Sequence, residues 1–165
     1  LESTDFFTAP ASSRFHLACE GGLTQHSLNV YDRLKDKSDS PFWAKMNFAD
    51  DTIAICALLH DLCKINFYTV SERNVKNEET GKWEKQPFYQ IEDQLPYGHG
   101  EKSVYIASGF IKLSREEAMA IRWHMGFSES KENYNSLNKA YEKFPLCLAL
   151  SEADMEVVSI IEPTM

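Results

Sequence analysis

His60 and Asp61 stand side by side at the end of the apolar run Ile55–Leu59, and Lys64 follows one helical turn after His60. A carboxylate beside a buried segment carries a heavy desolvation cost unless a cation meets it. Asp154 raises the same problem inside "LCLALSEADMEVVSII". More histidines sit in apolar or glycine-rich surroundings: His26 after Gly21 and Gly22, His99 in "PYGHG", His124 in "AIRWHM", with His16 upstream. Taken singly, each ring reads as an ordinary core or surface residue, His99 could cap a helix, and His124 could pack against Trp123. A lone buried acid could pair with Arg or Lys, or face solvent. Taken together, several His and Asp on different buried helices are explained more economically by one metal centre. Adjacent helical residues do not face each other. His60 and Asp61 can therefore share an ion only if it lies in the wedge between them, near a helix end. A short carboxylate placed there can also bridge two ions.

These side chains need helices to hold them. Residues 1–20 read as a loop and a short helix. Leu23, Leu28, Val30, Tyr31 and Leu34 then fall at helical spacing and predict a helix of some four turns. Residues 39–48 are a connector with at most one turn. Asp50 or Asp51 can cap the next helix, whose apolar residues run almost without a break to Leu59, so it is expected to be central and buried. Past Lys64 the residues turn aromatic and β-branched around a polar "NEETGK". This predicts a β-hairpin over 66–76 and 82–91. Helices follow over "EKSVYIASGFIKL" and over "SREEAMAIRWHMG", the latter with a Ser114–Glu117 capping box and Gly126 as a stop. Pro145 opens a final long helix. The expected fold is all-α, one domain over 1–165, with a hairpin inserted at about 66–91.

Of the 165 residues, 43% are hydrophobic and 25% charged, which suits a soluble globular domain with its own core. A net charge of -8 argues against non-specific binding to duplex nucleic acid, which relies on phosphate neutralisation. It leaves room for a small phosphorylated substrate held by a metal or a local base. Cys19, Cys56, Cys63 and Cys147 form no CxxC pair, so reduced thiols in a cytoplasmic protein are expected. No signal peptide or membrane-spanning stretch is read, and no oligomeric interface has a signature.

The segments "GGLTQHSLNVYDRL", "LLHDLCK", "YGHGEKS", "RWHMG" and "SEAD" place His, His-Asp, His, His and Asp in that order. This order resembles the HD-domain metal-dependent phosphohydrolase superfamily, from about His16 to the C-terminus. The resemblance implies an all-helical core around a metal site. His26, His60, Asp61 and Asp154 match the core ligands. His99 and His124 match the two extra histidines of members with a dinuclear centre, in which Asp61 bridges the ions. Imidazole and carboxylate donors suit Mn²⁺, Fe²⁺, Ni²⁺ or Zn²⁺ better than Mg²⁺. Two ions about 3.5–4 Å apart can hold a hydroxide and clamp phosphoryl oxygens during in-line attack. Asp61 and Lys64 are then the expected catalytic residues, with the ammonium steadying charge on the phosphate; a lysine ending a helix also suits the helix dipole.

"FHLACEGGLTQH" is similar to the HD domains of certain bacterial 3'–5' exoribonucleases. That implies His16 as a substrate contact, with Gly21 and Gly22 letting the backbone come close to the substrate. No oligonucleotide-binding barrel like that of those nucleases is read within these 165 residues, so processive RNA degradation is not expected. The glycine-tyrosine-proline signature of cyclic dinucleotide phosphodiesterases is also absent, and Cys63 stands where their glycine usually lies. With its inserted hairpin, the pattern is most similar to small stand-alone bacterial or phage HD hydrolases. The expected substrate is a nucleotide or similar small phosphoester. The alternatives are exonuclease-like cleavage of short single strands and a non-catalytic nucleotide-sensing module. Glu101 and Lys102 are expected near the second ion or at a solvated helix start, Arg122 pointing away, and the hairpin's mixed charges on an ordinary surface. Tyr68, Phe88 and Tyr89 could stack on a base.

Overall fold

Six α-helices and one antiparallel hairpin make up residues 1–162, the part of the chain that the computed structural model describes. No helix among these residues is long and apolar enough to cross a membrane. Helix α1 (Gly22–Asp39) buries one stripe, Leu23, His26, Val30 and Leu34, at the three- and four-residue spacing of an amphipathic helix. Helix α2 (Asp50–Leu59) has no exposed residue beyond Asp51 and packs against α1 and α4 (Arg115–Trp123). Its Ile53, Cys56 and Ala57 join Val30, Leu34, Ile121 and Leu150 in the main core. Helix α3 (His99–Ser108) packs on α4. Helix α5 (Tyr134–Lys143) leads into α6 (Pro145–Glu156), which lies along α1 and α4. Lys37 of α1 ties α6 down through Glu152 and Glu156, each 3.0 Å from its ammonium.

Helix α6 runs into a π-helical turn, Val157–Ile161. The wide turn closes with the Glu162 N–H donating to the Val157 carbonyl, and it brings Glu162 back over α1. Strands β1 (Tyr68–Lys76) and β2 (Trp83–Ile91) pair only with each other, from Tyr68 opposite Ile91 to Lys76 opposite Trp83. Asn66, in the left-handed region, ends the preceding turn, and Gly81, also left-handed, closes the hairpin loop.

Several expectations are corrected. Residues 1–20 hold no helix. The Ser12 hydroxyl accepts from the Phe15 N–H and donates to the His16 carbonyl, a local turn that competes with helix, and Thr24 Oγ1 and the N–H groups of Gly21 and Leu23 anchor the segment to α1. Neither Asp50 nor Asp51 caps α2; the cap is Ala49, and both acids lie in the first turn, where they meet the positive end of the helix dipole. Helix α3 starts at His99, not Glu101, and stops before "GFIKL". The Ser114–Glu117 capping box is formed, and Pro145 opens α6.

Candidate metal centre

Helix ends carry much of this site. His60 caps the C-terminal end of α2, and Asp61 then turns the chain (φ -104°, ψ 21°) into a 3₁₀ turn, Leu62–Lys64. That break is what lets two neighbours face one pocket. His124 ends α4, and His99 begins α3. Gly100 makes this last pairing possible: a Cβ there would run into the Arg122 carbonyl, so its absence brings α3 against α4 and the His99 and His124 rings to 5.3 Å. His26 comes from α1 and Asp154 from α6.

The six residues converge. His26 Nε2 lies 3.2 Å from His60 Nε2, 3.2 Å from Asp154 Oδ1 and 3.5 Å from Asp61 Oδ2. Asp61 Oδ2 is also 3.6 Å from His60 Nε2. Its other oxygen, Oδ1, faces the opposite set, 2.9 Å from His99 Nε2 and 3.5 Å from His124 Nε2. Asp61 therefore presents one oxygen to each of two groups of donors.

The second nitrogen of three rings is already used. His60 Nδ1 donates to the Ala57 carbonyl at 2.7 Å and His124 Nδ1 to the Ile121 carbonyl at 2.7 Å. His26 Nδ1 meets Glu162 Oε2 at 3.0 Å, and Glu162 Oε1 accepts from Asn29. These partners assign the tautomers and leave each Nε2 with a lone pair aimed inward, the arrangement that orients metal-binding imidazoles. His26 and His60 then point lone pairs at each other across 3.2 Å, which requires a cation, proton or metal, between them. His124 Nε2 and Asp154 Oδ1 are buried without a hydrogen-bond partner; His26 is near Asp154 Oδ1 but makes no hydrogen bond to it. Buried orphan donors and acceptors are rare. A divalent ion with N and O ligands fits this donor set.

The electrostatics agree. Burial pushes His60 down to about 4, against the pull of Asp61 and Asp154, so the ring is neutral. Burial also works against a charged His26, but the contacts with Asp154, Glu162 and Asp61 outweigh it and raise the ring to about 9. Asp61 stays ionised despite burial, because Lys64 and the surrounding histidines hold its carboxyl well below the usual range. Lys64 lies 2.7 Å from Asp61 Oδ2, which keeps its ammonium charged against burial.

The six residues, with His16 and Lys64, border a cavity of about 470 Å³ except for His60, which lies behind it. Met125, Phe127, Met155 and Val158 give the cavity an apolar wall. His16 Nε2 is buried without a hydrogen-bond partner, and burial together with Lys64 lowers the ring's pKa. Gly22 does not line the cavity. A Cβ there would strike the Leu17 carbonyl and crowd the Ala11 nitrogen, so this glycine seats the His16 segment on α1 and has no place at a substrate. Lys102 and Glu101 also turn elsewhere, Lys102 to Asp93 and Glu101 to Arg122, which points away from the pocket as expected. Glu162 was missed from the sequence; its signal was a carboxylate closing the apolar "VVSII", the same anomaly that marked Asp154.

Residues 23–155 match the family model described as the HD domain. Neither the curated proteins nor the solved structures yield a match.

Proposed function

Because the chain belongs to the HD-domain family of metal-dependent phosphohydrolases, we propose that it hydrolyses a phosphoester of a nucleotide or similar small phosphorylated molecule. The observation that carries this reading is the convergence of three histidines and two carboxylates on one cavity, with His60 Nε2 packed behind them and Asp61 facing both halves of the set. His26, His60, Asp61 and Asp154 would hold one divalent ion; Asp61, His99 and His124 would hold a second. Such ions would supply Lewis-acid charge to a phosphoryl oxygen and would lower the pKa of water in the site.

The chain's own residues do the rest. Glu162 and the Ala57 and Ile121 carbonyls fix the imidazoles in the ligating tautomer. Lys64, anchored on Asp61 at the cavity edge, places a permanent positive charge where a phosphoryl group would gain negative charge. His16, kept neutral, offers a free ring nitrogen to a substrate oxygen. The wall of Met125, Phe127, Met155 and Val158 suits a flat apolar moiety such as a nucleobase and excludes water on that side.

The test is hydrolysis of a generic phosphodiester and a nucleotide panel by metal-loaded protein. Asp61→Ala is expected to abolish it, and wild-type rates in that variant would refute the reading. A second reading, cleavage of short single strands, draws support from a groove of about 390 Å³ between the His16 segment and the hairpin. Arg14, Arg73, Phe88 and Tyr89 line it. Guanidinium and aromatic groups together suit phosphates and stacked bases. Progressive shortening of an end-labelled oligonucleotide would favour this reading.

A further inference from the structure

Cys63 takes no part in the donor set above, yet it sits against it. The residue is 3% exposed, and its backbone N–H donates to Ser103 Oγ at 3.0 Å, which fixes its place in the 3₁₀ turn after Asp61. Its Sγ lies 3.3 Å from His99 Nε2 and 3.9 Å from Asp61 Oδ1, and those two atoms are 2.9 Å apart. Donors that share one tetrahedral ion, at about 2.0 Å for N or O and about 2.3 Å for S, stand roughly 3.3–3.5 Å from one another. The three observed separations bracket that value. His124 adds an independent sign: its ring is buried, and its Nε2 has no hydrogen-bond partner and lies 3.5 Å from the same Asp61 oxygen.

We propose that Cys63 Sγ is a ligand of the ion held by Asp61 Oδ1, His99 and His124, so that this position has a mixed O, N and S donor set. The inference rests on the metal-centre reading above and adds a selectivity to it. A thiolate favours Zn²⁺, Fe²⁺ or Co²⁺ over the harder Mn²⁺ and Mg²⁺. The thiol gives its proton to solvent as the metal–sulfur bond forms, and no oxidant is involved. Sγ also lies 3.4 Å from His99 Nδ1, so the rival role is a simple S–H contact to the ring.

Cobalt(II) titration of the metal-stripped full chain separates these cases. The expected result is visible d–d absorption from the His and Asp ligands together with a near-ultraviolet thiolate-to-cobalt charge-transfer band. The band should vanish in Cys63→Ser while the d–d absorption stays. Cys56 and Cys147 lie in the hydrophobic core and Cys19 is exposed, so Cys63 is the thiol positioned to give the band. Cys63→Ala carries the same expectation and covers a serine that disturbs packing. In competition with a chelator, Cys63→Ser should weaken zinc binding by about tenfold or more and leave manganese binding within about twofold. Wild-type d–d absorption without the charge-transfer band overturns the thiolate ligand and leaves the metal centre standing. A band that persists in both variants also overturns it. Absence of any cobalt spectrum overturns the metal centre itself.

Discussion

Metal binding in this pocket should depend steeply on pH, because His26 must first give up a proton. Three carboxylates face its ring: Glu162 at 3.0 Å, Asp154 at 3.2 Å and Asp61 at 3.5 Å. Burial disfavours the charged ring, but these contacts prevail and bring it to about 9 in the metal-free protein. At pH 7 an ion at His26 therefore displaces about one proton from that ring, and affinity there should climb about tenfold per pH unit at first, roughly 50-fold by pH 9 or about 2.3 kcal/mol. Above that it levels off. Stability of the metal-free protein should run the other way. A ring raised from 6.5 to about 9 on folding stabilises the protein fully below pH 6.5, and that contribution fades as pH rises through 9. The gap corresponds to about 3 kcal/mol. His124, also raised, adds to this trend, while the lowered carboxyls of Asp154 and Glu162 titrate in acid and do not enter the window. Calorimetric titration in buffers of different ionisation enthalpy counts the protons released. Thermal melts across the same range should fall with pH in the metal-free protein and flatten at saturating metal, because the gain in affinity offsets the loss of apo stability. PH-independent affinity with no proton release would refute the reasoning.

Lys64→Met should lower kcat by about 10²-fold while metal content stays unchanged, since the ammonium contacts Asp61 and stands at the cavity without being a ligand; steady-state kinetics beside elemental analysis checks both halves. Glu162→Gln should weaken metal binding by about 10–100-fold when measured above pH 9, where proton competition no longer masks the loss of the charged partner of His26. Chelator competition reads that change. Gly100→Ala should destabilise the fold by about 1–3 kcal/mol in denaturant titration, because the new methyl group meets the Arg122 carbonyl and drives α3 off α4.

Much of the site could be read from the chain because its oddities were local. A His-Asp pair closing an apolar run, an acid inside another and a glycine just before His99 each break a simple pattern within a few residues. The helices and the hairpin followed from periodicity for the same reason. What could not be read depended on backbone geometry or on distant partners. Glu162 reaches His26 only because the chain widens into a π-helical turn at Val157–Ile161, and residue type does not announce that widening. Gly22 looked like a route to substrate, but its contact is with Leu17 and Ala11, across a turn that Ser12 organises. The apolar wall draws Met125, Phe127, Met155 and Val158 from separate segments, so no single stretch betrays it.

The β ribbon begins at Tyr68, four residues after Lys64, and ends at Ile91, eight residues before His99, while its strands pair only with each other. One foot thus follows directly on the 3₁₀ turn that carries Lys64, and the tip of the ribbon is exposed. Residues added or removed in facing pairs would lengthen or shorten the arm and leave every ligand where it stands. The length of the arm and the geometry of the helical centre can therefore vary independently.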